Sequence, residues 1–212
     1  MLRGGNPEKH FAAALTEIVR DSQDILDVGT SQRFAKELRP YEGLFKGKRY
    51  IAAGYQPSPA YGAYNCDCHQ DIQNMTFTDA SFDAVLCIEV LEHVADPFAA
   101  ARELARVLRP DGRLLLTTPF LFNYHGRRVN AHSPNHEMYP DYWRFTHQGL
   151  EHLFARFRNV QVSPLNGPLE FCLLQFFPQR VVALPPLRRL VDWLDHPQRG
   201  RPTSRHLLLA VK

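Results

Sequence analysis

The sequence predicts an α/β fold: a doubly wound, mostly parallel sheet with helices on both faces. Short apolar runs of strand length, such as Asp24–Val28 and Phe82–Ile88, alternate with stretches whose apolar residues recur at helical spacing. The chain has 212 residues, 44% hydrophobic and 22% charged, enough for one α/β domain with a sizeable core. No internal repeat or linker divides it, so residues 1–212 read as a single domain. It carries an apolar insertion at 168–202, between the last two strands.

The elements follow in order. Asn6-Pro7-Glu8 reads as a helix start, with Asn at the N-cap and Pro at the first helical position. Phe11, Ala14, Leu15, Ile18 and Val19 then share one face. Asp24 to Val28, closed by Gly29, is the first strand. Ser31 to Leu38 is expected to form a short helix stopped near Pro40, and Arg49 to Ala53 the second strand. Gln56-Pro57-Ser58-Pro59 and Tyr61-Gly62 form a loop, with a short third strand around Ala63 to Asp67. Phe82 to Ile88 is the fourth strand. Asp96-Pro97 repeats the cap-plus-proline start, and Phe98, Ala101, Leu104, Ala105 and Leu108 mark the buried face of the helix that follows. Pro110-Asp111-Gly112 is a turn into the fifth strand, Arg113 to Thr118. Residues 119–145 have no period. Thr146 caps a helix with Leu150, Leu153 and Phe154 inward, and Asn159 to Ser163 and Arg205 to Val211 are the last two strands.

Composition narrows the function. The net charge is only +3, with no long block of Lys or Arg, so no nucleic-acid partner is expected. Cys66, Cys68, Cys87 and Cys172 suit reduced thiols and a cytoplasmic setting. No signal peptide is expected from the residues after Met1, and no run of ~18 apolar residues is present to span a membrane. Neither His125, His132, His136 and Glu137 nor Cys66, Cys68 and His69 match a tight ligand spacing, so no metal is expected. No Ser or Cys sits on a Gly-flanked elbow, which excludes a hydrolase of that type.

In open α/β sheets ligands bind beyond the carboxyl ends of the strands. Gly29, at the end of the first strand, lets the backbone approach a ligand closely. Beyond it, Asp71-Ile72-Gln73-Asn74-Met75-Thr76-Phe77, Ser81 to Val94 with Glu89-Val90-Leu91-Glu92-His93-Val94, and Leu108-Arg109-Pro110-Asp111-Gly112 through Pro119 follow one another. This order resembles the middle of a class I S-adenosylmethionine-dependent methyltransferase, of the methyltransferase type 11 kind. The resemblance covers residues 20–165, and the rest by order of elements.

The resemblance implies a Rossmann-like seven-stranded sheet of order 3-2-1-4-5-7-6 with the last strand antiparallel. It implies S-adenosyl-L-methionine as cofactor, S-adenosyl-L-homocysteine as product, and O- or N-methylation of a small-molecule or glycan acceptor. It assigns cofactor contacts to Asp27, Gly29, Thr30 and Ser31 after the first strand, and to Gly54 and Tyr55 after the second. Gly54 stands where the family has an acid for the ribose. Asp71 would accept from the adenine amino group, with Asp67 as the alternative, and Ile72 would offer its amide and side chain to the ring. Each Asp also reads as a simple turn cap. Glu89 would hold the methionine amino group or the acceptor. His93 would take a proton, an imidazole being suited to a general base, or else cap a helix end. Glu92 could share the proton-taking role, but is expected instead to be solvated.

The stretch from Pro119 to Thr146 falls where this family covers the acceptor, which points to Tyr124, His125, His136, Tyr142 and Trp143 as acceptor contacts. Trp143 and Phe145 also read as pins that lock the loop to the next helix, with Arg144 paired to an acid. The loss of the ribose acid at Gly54 and of later glycines after Gly29 motivates a second reading, a non-catalytic binding or scaffold protein of this fold. A third is an enzyme that uses the cofactor for something other than methyl transfer, such as cyclisation. The 168–202 segment is read as core or as a homodimer contact, with an acceptor cover or a membrane-surface contact as the alternatives.

Overall fold

In a computed structural model of the protein, the described residues are 7–35, 37–55, 65–128, 137–165, 184–194 and 203–212, with 169, 172–173, 176 and 181. Strands β1 (Asp24–Val28), β2 (Arg49–Gly54), β3 (Cys68–His69), β4 (Phe82–Ile88), β5 (Leu108–Pro119), β8 (Arg158–Pro164) and β9 (Arg205–Val211) form one sheet. Its order is β3-β2-β1-β4-β5-β9-β8. The first five run parallel, and β9 lies antiparallel between β5 and β8. This is the expected order 3-2-1-4-5-7-6. A separate short ladder joins β6 (Arg127–Arg128) to β7 (Glu137–Tyr139).

Alternation along the central strands explains why helices cover both faces. Leu26, Val28, Val85, Cys87, Leu114 and Leu116 point to one side, into a core shared with helices α2 (Pro97–Val107) and α3 (His147–Leu153). Ile25, Ala84, Leu86 and Leu115 point to the other, onto Phe11, Leu15, Ile18 and Val19 of α1 (Pro7–Arg20). A strand buried on both sides must read as a near-continuous apolar run, as β1 and β4 do. The caps also form as the sequence implies: Asp96 accepts from Ala99 N (2.9 Å) and Thr146 from Gly149 N (3.0 Å).

Four local expectations change. Among the described residues of Ser31 to Leu38 no helix forms. Arg33 N donates to Asn65 O and Asn65 N to Ser31 O (3.0 Å each), and Phe34 has φ 49°, so a long-range bridge replaces the helix. A 3-10 helix instead spans Arg39–Phe45, with Pro40 in its first turn where a missing N–H costs nothing. The third strand falls at Cys68–His69 rather than around 63–67. Phe98 turns outward, and α2 buries Pro97, Ala100, Ala101, Leu104 and Val107. Pro110-Asp111-Gly112 is absorbed into a bulged β5, with Asp111 at φ 65°.

The 56–62 loop lies outside the described residues, as does most of the 168–202 segment. Within that segment helix α4 (Pro185–Leu194) buries Val191 and exposes Leu190. Among the described residues no helix is long and apolar enough to cross a membrane.

Charges at the amino ends of the strands are spent on structure. Arg109 bridges Asp24 (2.7 Å) and Asp83 (2.5 Å), and Asp83 Oδ2 also takes the amides of Gln23 and Asp24 (2.8 Å each). The polar groups at the carboxyl ends are arranged differently.

Candidate active site at the carboxyl ends of the strands

Gly29 ends β1 at φ 81°, and its amide donates to Ala53 O (2.7 Å). A Cβ here would come within 2.5 Å of the Val90 side chain, so the position demands glycine on two counts. The chain therefore runs tight between the ends of β1 and β4. Thr30 turns inward and bonds Gln32 O through its hydroxyl (2.7 Å), while Ser31 is exposed. Asp27 does not face this opening. Its carboxyl is buried against the Tyr50 hydroxyl, on the side of the sheet covered by α1. Burial pushes that carboxyl up to about 7, in spite of the Tyr50 hydrogen bond that favours its charged form.

Gly54 ends β2 and accepts from Gln70 N (2.7 Å), and Tyr55 beyond it is exposed. Asp67, one of the two candidates for the adenine, is bound to Arg33 and to Ala52 N (2.8 Å), part-way down β2. Asp71 lies nearer the strand ends. Its Oδ1 takes Gln73 N (2.9 Å) and Gln73 Nε2 (3.1 Å), the turn-capping bond, while Oδ2 has only a 3.4 Å contact with Gln73 Nε2. Ile72 is buried in the same cluster as Val28, Ala53 and Val90.

After β4 the chain is forced into an uncommon shape. Glu89 has φ 53°, its amide donates to Thr117 O (3.0 Å), and its Oε1 is buried with no hydrogen-bond partner among the described residues. A left-handed non-glycine residue costs about 1–3 kcal/mol and persists only where its surroundings impose it. Burial and the nearby Glu92 carboxyl push Glu89 up to about 7, against the pull of Arg205 and Thr117.

A single 3-10 turn, Leu91–His93, follows. It overturns one expectation: Glu92 is fully buried rather than solvated. Thr118 Oγ1 lies 3.4 Å from Glu92 Oε2, while Oε1 has no hydrogen-bond partner among the described residues. That oxygen faces two imidazoles, 3.7 Å from His93 Nε2 and 3.8 Å from His125 Nε2. The apolar neighbours Val90, Leu91 and Val94 were the signal in the sequence that this turn packs inward.

The segment Asp141 to Thr146 fastens the cluster. Tyr142 N and Trp143 N both donate to Glu92 O (2.8 and 3.2 Å), and Trp143 Nε1 donates to Val94 O (2.7 Å). Asp141 takes the His125 amide on Oδ2 (2.8 Å) and pairs with Arg144, whose guanidinium also bonds Phe122 O (3.1 Å) and Asn123 O (2.9 Å). Burial opposes ionisation of Asp141, but Arg144 and His125 outweigh it and hold the carboxyl at about 2. The indole of Trp143 stacks on Phe145, so this Trp acts as a pin, and Arg144 has the acid expected for it. Tyr142 and Tyr124 are exposed beside the cluster, and Tyr124 lies over Gly126. His136 and His132 lie outside the described residues.

The structure thus brings Glu89, Glu92, His93 and His125 together and leaves Asp27 on another face. Asp141 was missed as a site residue, although its spacing of three from Arg144 was visible.

Comparison with known proteins bears on this geometry. Residues 26–116 match a family described as a methyltransferase domain. The ubiquinone biosynthesis O-methyltransferase of Xanthomonas oryzae pv. oryzae is 60% identical over 38 residues, 18% of this chain and 16% of that protein. The enzyme of the same name from Xanthomonas axonopodis pv. citri is 48% identical over 50 residues, 23% of this chain and 21% of that protein. The chain therefore matches less than a quarter of the length of these relatives. Among solved structures, an S-adenosylmethionine-dependent methyltransferase from Mesorhizobium loti aligns over 98% of this chain and 99% of its own, with 16% identity and TM-score 0.55. Another, phosphoethanolamine N-methyltransferase 2 of Haemonchus contortus in complex with S-adenosyl-L-methionine, aligns over 96% and 52%, with 16% identity and TM-score 0.54.

Proposed function

We propose that this chain, which carries a class I methyltransferase domain, transfers the methyl group of S-adenosylmethionine to an oxygen or nitrogen of a small-molecule or glycan acceptor, with a hydroxyl as the first choice. The observation that carries the reading is the end of β4. There a strained Glu89 holds a buried carboxylate oxygen with no hydrogen-bond partner among the described residues, one residue before the Val90 that closes on the tight Gly29 turn. A buried carboxylate oxygen with no hydrogen-bond partner among the described residues fits the ammonium of a bound amino acid. The match over 26–116 supports the class of chemistry, and the O-methyltransferase names of the short relatives support the hydroxyl.

When bound, S-adenosylmethionine supplies an electrophilic methyl on a sulfonium. The residues divide the remaining work. Gly29, with Thr30 and Ser31 behind it, gives the backbone clearance for the ligand. Asp71 Oδ2 and the Ile72 amide are assigned to the adenine, and Gly54 and Tyr55 to the ribose side. Asp27 is assigned to fixing β1 against β2 through Tyr50. On the acceptor side, the His93 Nδ1 proton is held by Pro140 O (2.6 Å), which leaves the Nε2 lone pair facing the cluster. That nitrogen is the atom able to take a hydroxyl proton. Tyr124, His125 and Tyr142 line the approach, and Trp143 shapes it from behind. Holding two reactants in line is the larger part of the catalysis.

The test is turnover with S-adenosylmethionine and a panel of phenols, catechols and sugars. Acceptor-dependent S-adenosylhomocysteine is the expected product. Methylthioadenosine in its place would indicate other chemistry. No product from any acceptor, by a chain that binds the cofactor, would favour a non-catalytic role.

A further inference from the structure

We propose that Glu92, His93 and His125 form a site for a divalent transition-metal ion of the zinc type, on the acceptor side of the cluster. The inference rests on the acceptor-side reading only for its use in catalysis. Binding of the ion stands on the geometry alone.

Three donor atoms converge. Glu92 Oε1, His93 Nε2 and His125 Nε2 lie within 4.8 Å of one another, and the carboxylate oxygen is 3.7 and 3.8 Å from the two nitrogens. Ligand bonds of about 2.0–2.2 Å in a tetrahedral site put donor atoms roughly 3.4 Å apart. The two carboxylate–imidazole distances need close by only a few tenths of an ångström, and the two imidazole nitrogens, which lie within 4.8 Å, must reach the same spacing. Two imidazoles and one carboxylate are a zinc-type donor set, whereas magnesium and calcium prefer oxygen alone.

The second observation is Glu92 itself. Its side chain is fully buried, yet Oε1 has no hydrogen-bond partner among the described residues. A buried carboxylate oxygen left in that state costs free energy that a cation would offset.

The third is the tautomer of each ring. His93 Nδ1 sits 2.6 Å from Pro140 O, an acceptor, so Nδ1 carries the proton and Nε2 the lone pair. His125 Nδ1 has Asn123 O and Asp141 Oδ2 at 3.3 Å each. Arg144 Nη2 is 3.4 Å from the same nitrogen, but its two protons already serve Asp141 Oδ2 (2.7 Å) and Asn123 O (2.9 Å). The Nδ1 proton therefore faces acceptors here too, and Nε2 faces Glu92 Oε1, an acceptor that favours a proton on this nitrogen until an ion displaces it. Outer-shell carbonyls and carboxylates that fix imidazoles in this way are the usual support of a metal-binding histidine.

The rings keep one side open, with His93 20% and His125 32% exposed. A fourth position is left for water or for an acceptor hydroxyl, whose proton such an ion would make easier to lose. With the ion bound, His93 Nε2 is a ligand and no longer the base, and the ion takes over its part in that proton's loss.

The experiment uses the full chain, stripped with chelator and shown to be folded, titrated with Zn²⁺ by calorimetry and with Co²⁺ by visible absorption, without cofactor. One equivalent should bind, with a nitrogen- and oxygen-ligated Co²⁺ spectrum. Asp141→Asn should weaken binding by about 10–100-fold, and His125→Ala and Glu92→Gln by more. His125→Ala serves if the buried Glu92→Gln does not fold. A C66S/C68S variant should bind as the parent does. A thiolate charge-transfer band lost in C66S/C68S would move the ion to Cys66 and Cys68 and overturn the proposal. So would no binding by the folded chain, which would mean that Glu92 is neutralised by a protonated imidazole instead. Separate titration with S-adenosylmethionine reads the cofactor site, so either result can fail alone.

Discussion

His125 donates its backbone amide to Asp141 Oδ2 at 2.8 Å, across 16 residues of chain. This bond joins the loop after β5 to the segment that also grips Glu92 through the amides of Tyr142 and Trp143. One carboxylate thus positions an imidazole without touching any reactant. Asp141→Asn is expected to cost about 1–3 kcal/mol of local hydrogen bonding. It should lower turnover while leaving cofactor affinity nearly unchanged. Steady-state kinetics beside a cofactor titration check this.

Gly29 stands between the ends of β1 and β4 with no room for a side chain. Gly29→Ala forces a Cβ to 2.5 Å from Val90 and a strained φ of 81° on alanine. An overpacked, strained position costs ~1–3 kcal/mol. Thermal unfolding should show the loss of stability, and calorimetry a loss of cofactor affinity at temperatures where the variant is folded.

Asp71→Ala is expected to weaken cofactor binding by ~1–3 kcal/mol if Oδ2 accepts from the adenine. Because Oδ1 caps the turn through Gln73, Gln73→Ala is the control. It disturbs the same turn but spares the acceptor oxygen. Equal losses in the two variants would reduce Asp71 to a turn cap.

Asp27 makes stability depend on pH. Its carboxyl is raised from the ordinary range to about 7 in the fold. Between roughly pH 4 and 7 the folded chain therefore holds a proton that the unfolded chain has lost, and stability falls as pH rises through that window. Asp27→Asn removes the effect. Its advantage over the parent should be absent near pH 4 and reach up to about 2–4 kcal/mol above pH 7, as read from denaturant unfolding at several pH values.

His206 acts in the opposite direction. It is buried with neither ring nitrogen hydrogen-bonded among the described residues, and burial lowers its pKa to about 4. The neutral ring suits the fold, so stability is full above about pH 6.5 and falls as pH drops toward 4. His206→Phe should flatten that acid limb in the same unfolding series.

Much of this architecture was readable in the sequence because it is local. Phe82–Ile88 is a continuous apolar run, Asp96-Pro97 carries its own cap, and Thr146 sits three residues from the amide that it bonds. What failed depended on distant partners. Ser31 to Leu38 has a helix-like pattern, but Asn65 pairs with its backbone instead. The burial of Glu92 depends on Tyr142, Trp143 and His125, which arrive some 30 to 50 residues later. A charged residue in a short turn reads as solvated until those partners are placed around it.

The central claim is that Gly29, Asp71 and Glu89 surround a site for S-adenosylmethionine. Calorimetric titration of the folded chain with S-adenosylmethionine and with S-adenosylhomocysteine tests it most directly. The account predicts one site of micromolar affinity for either ligand, weakened in Asp71→Ala. Absence of binding by both ligands would contradict it.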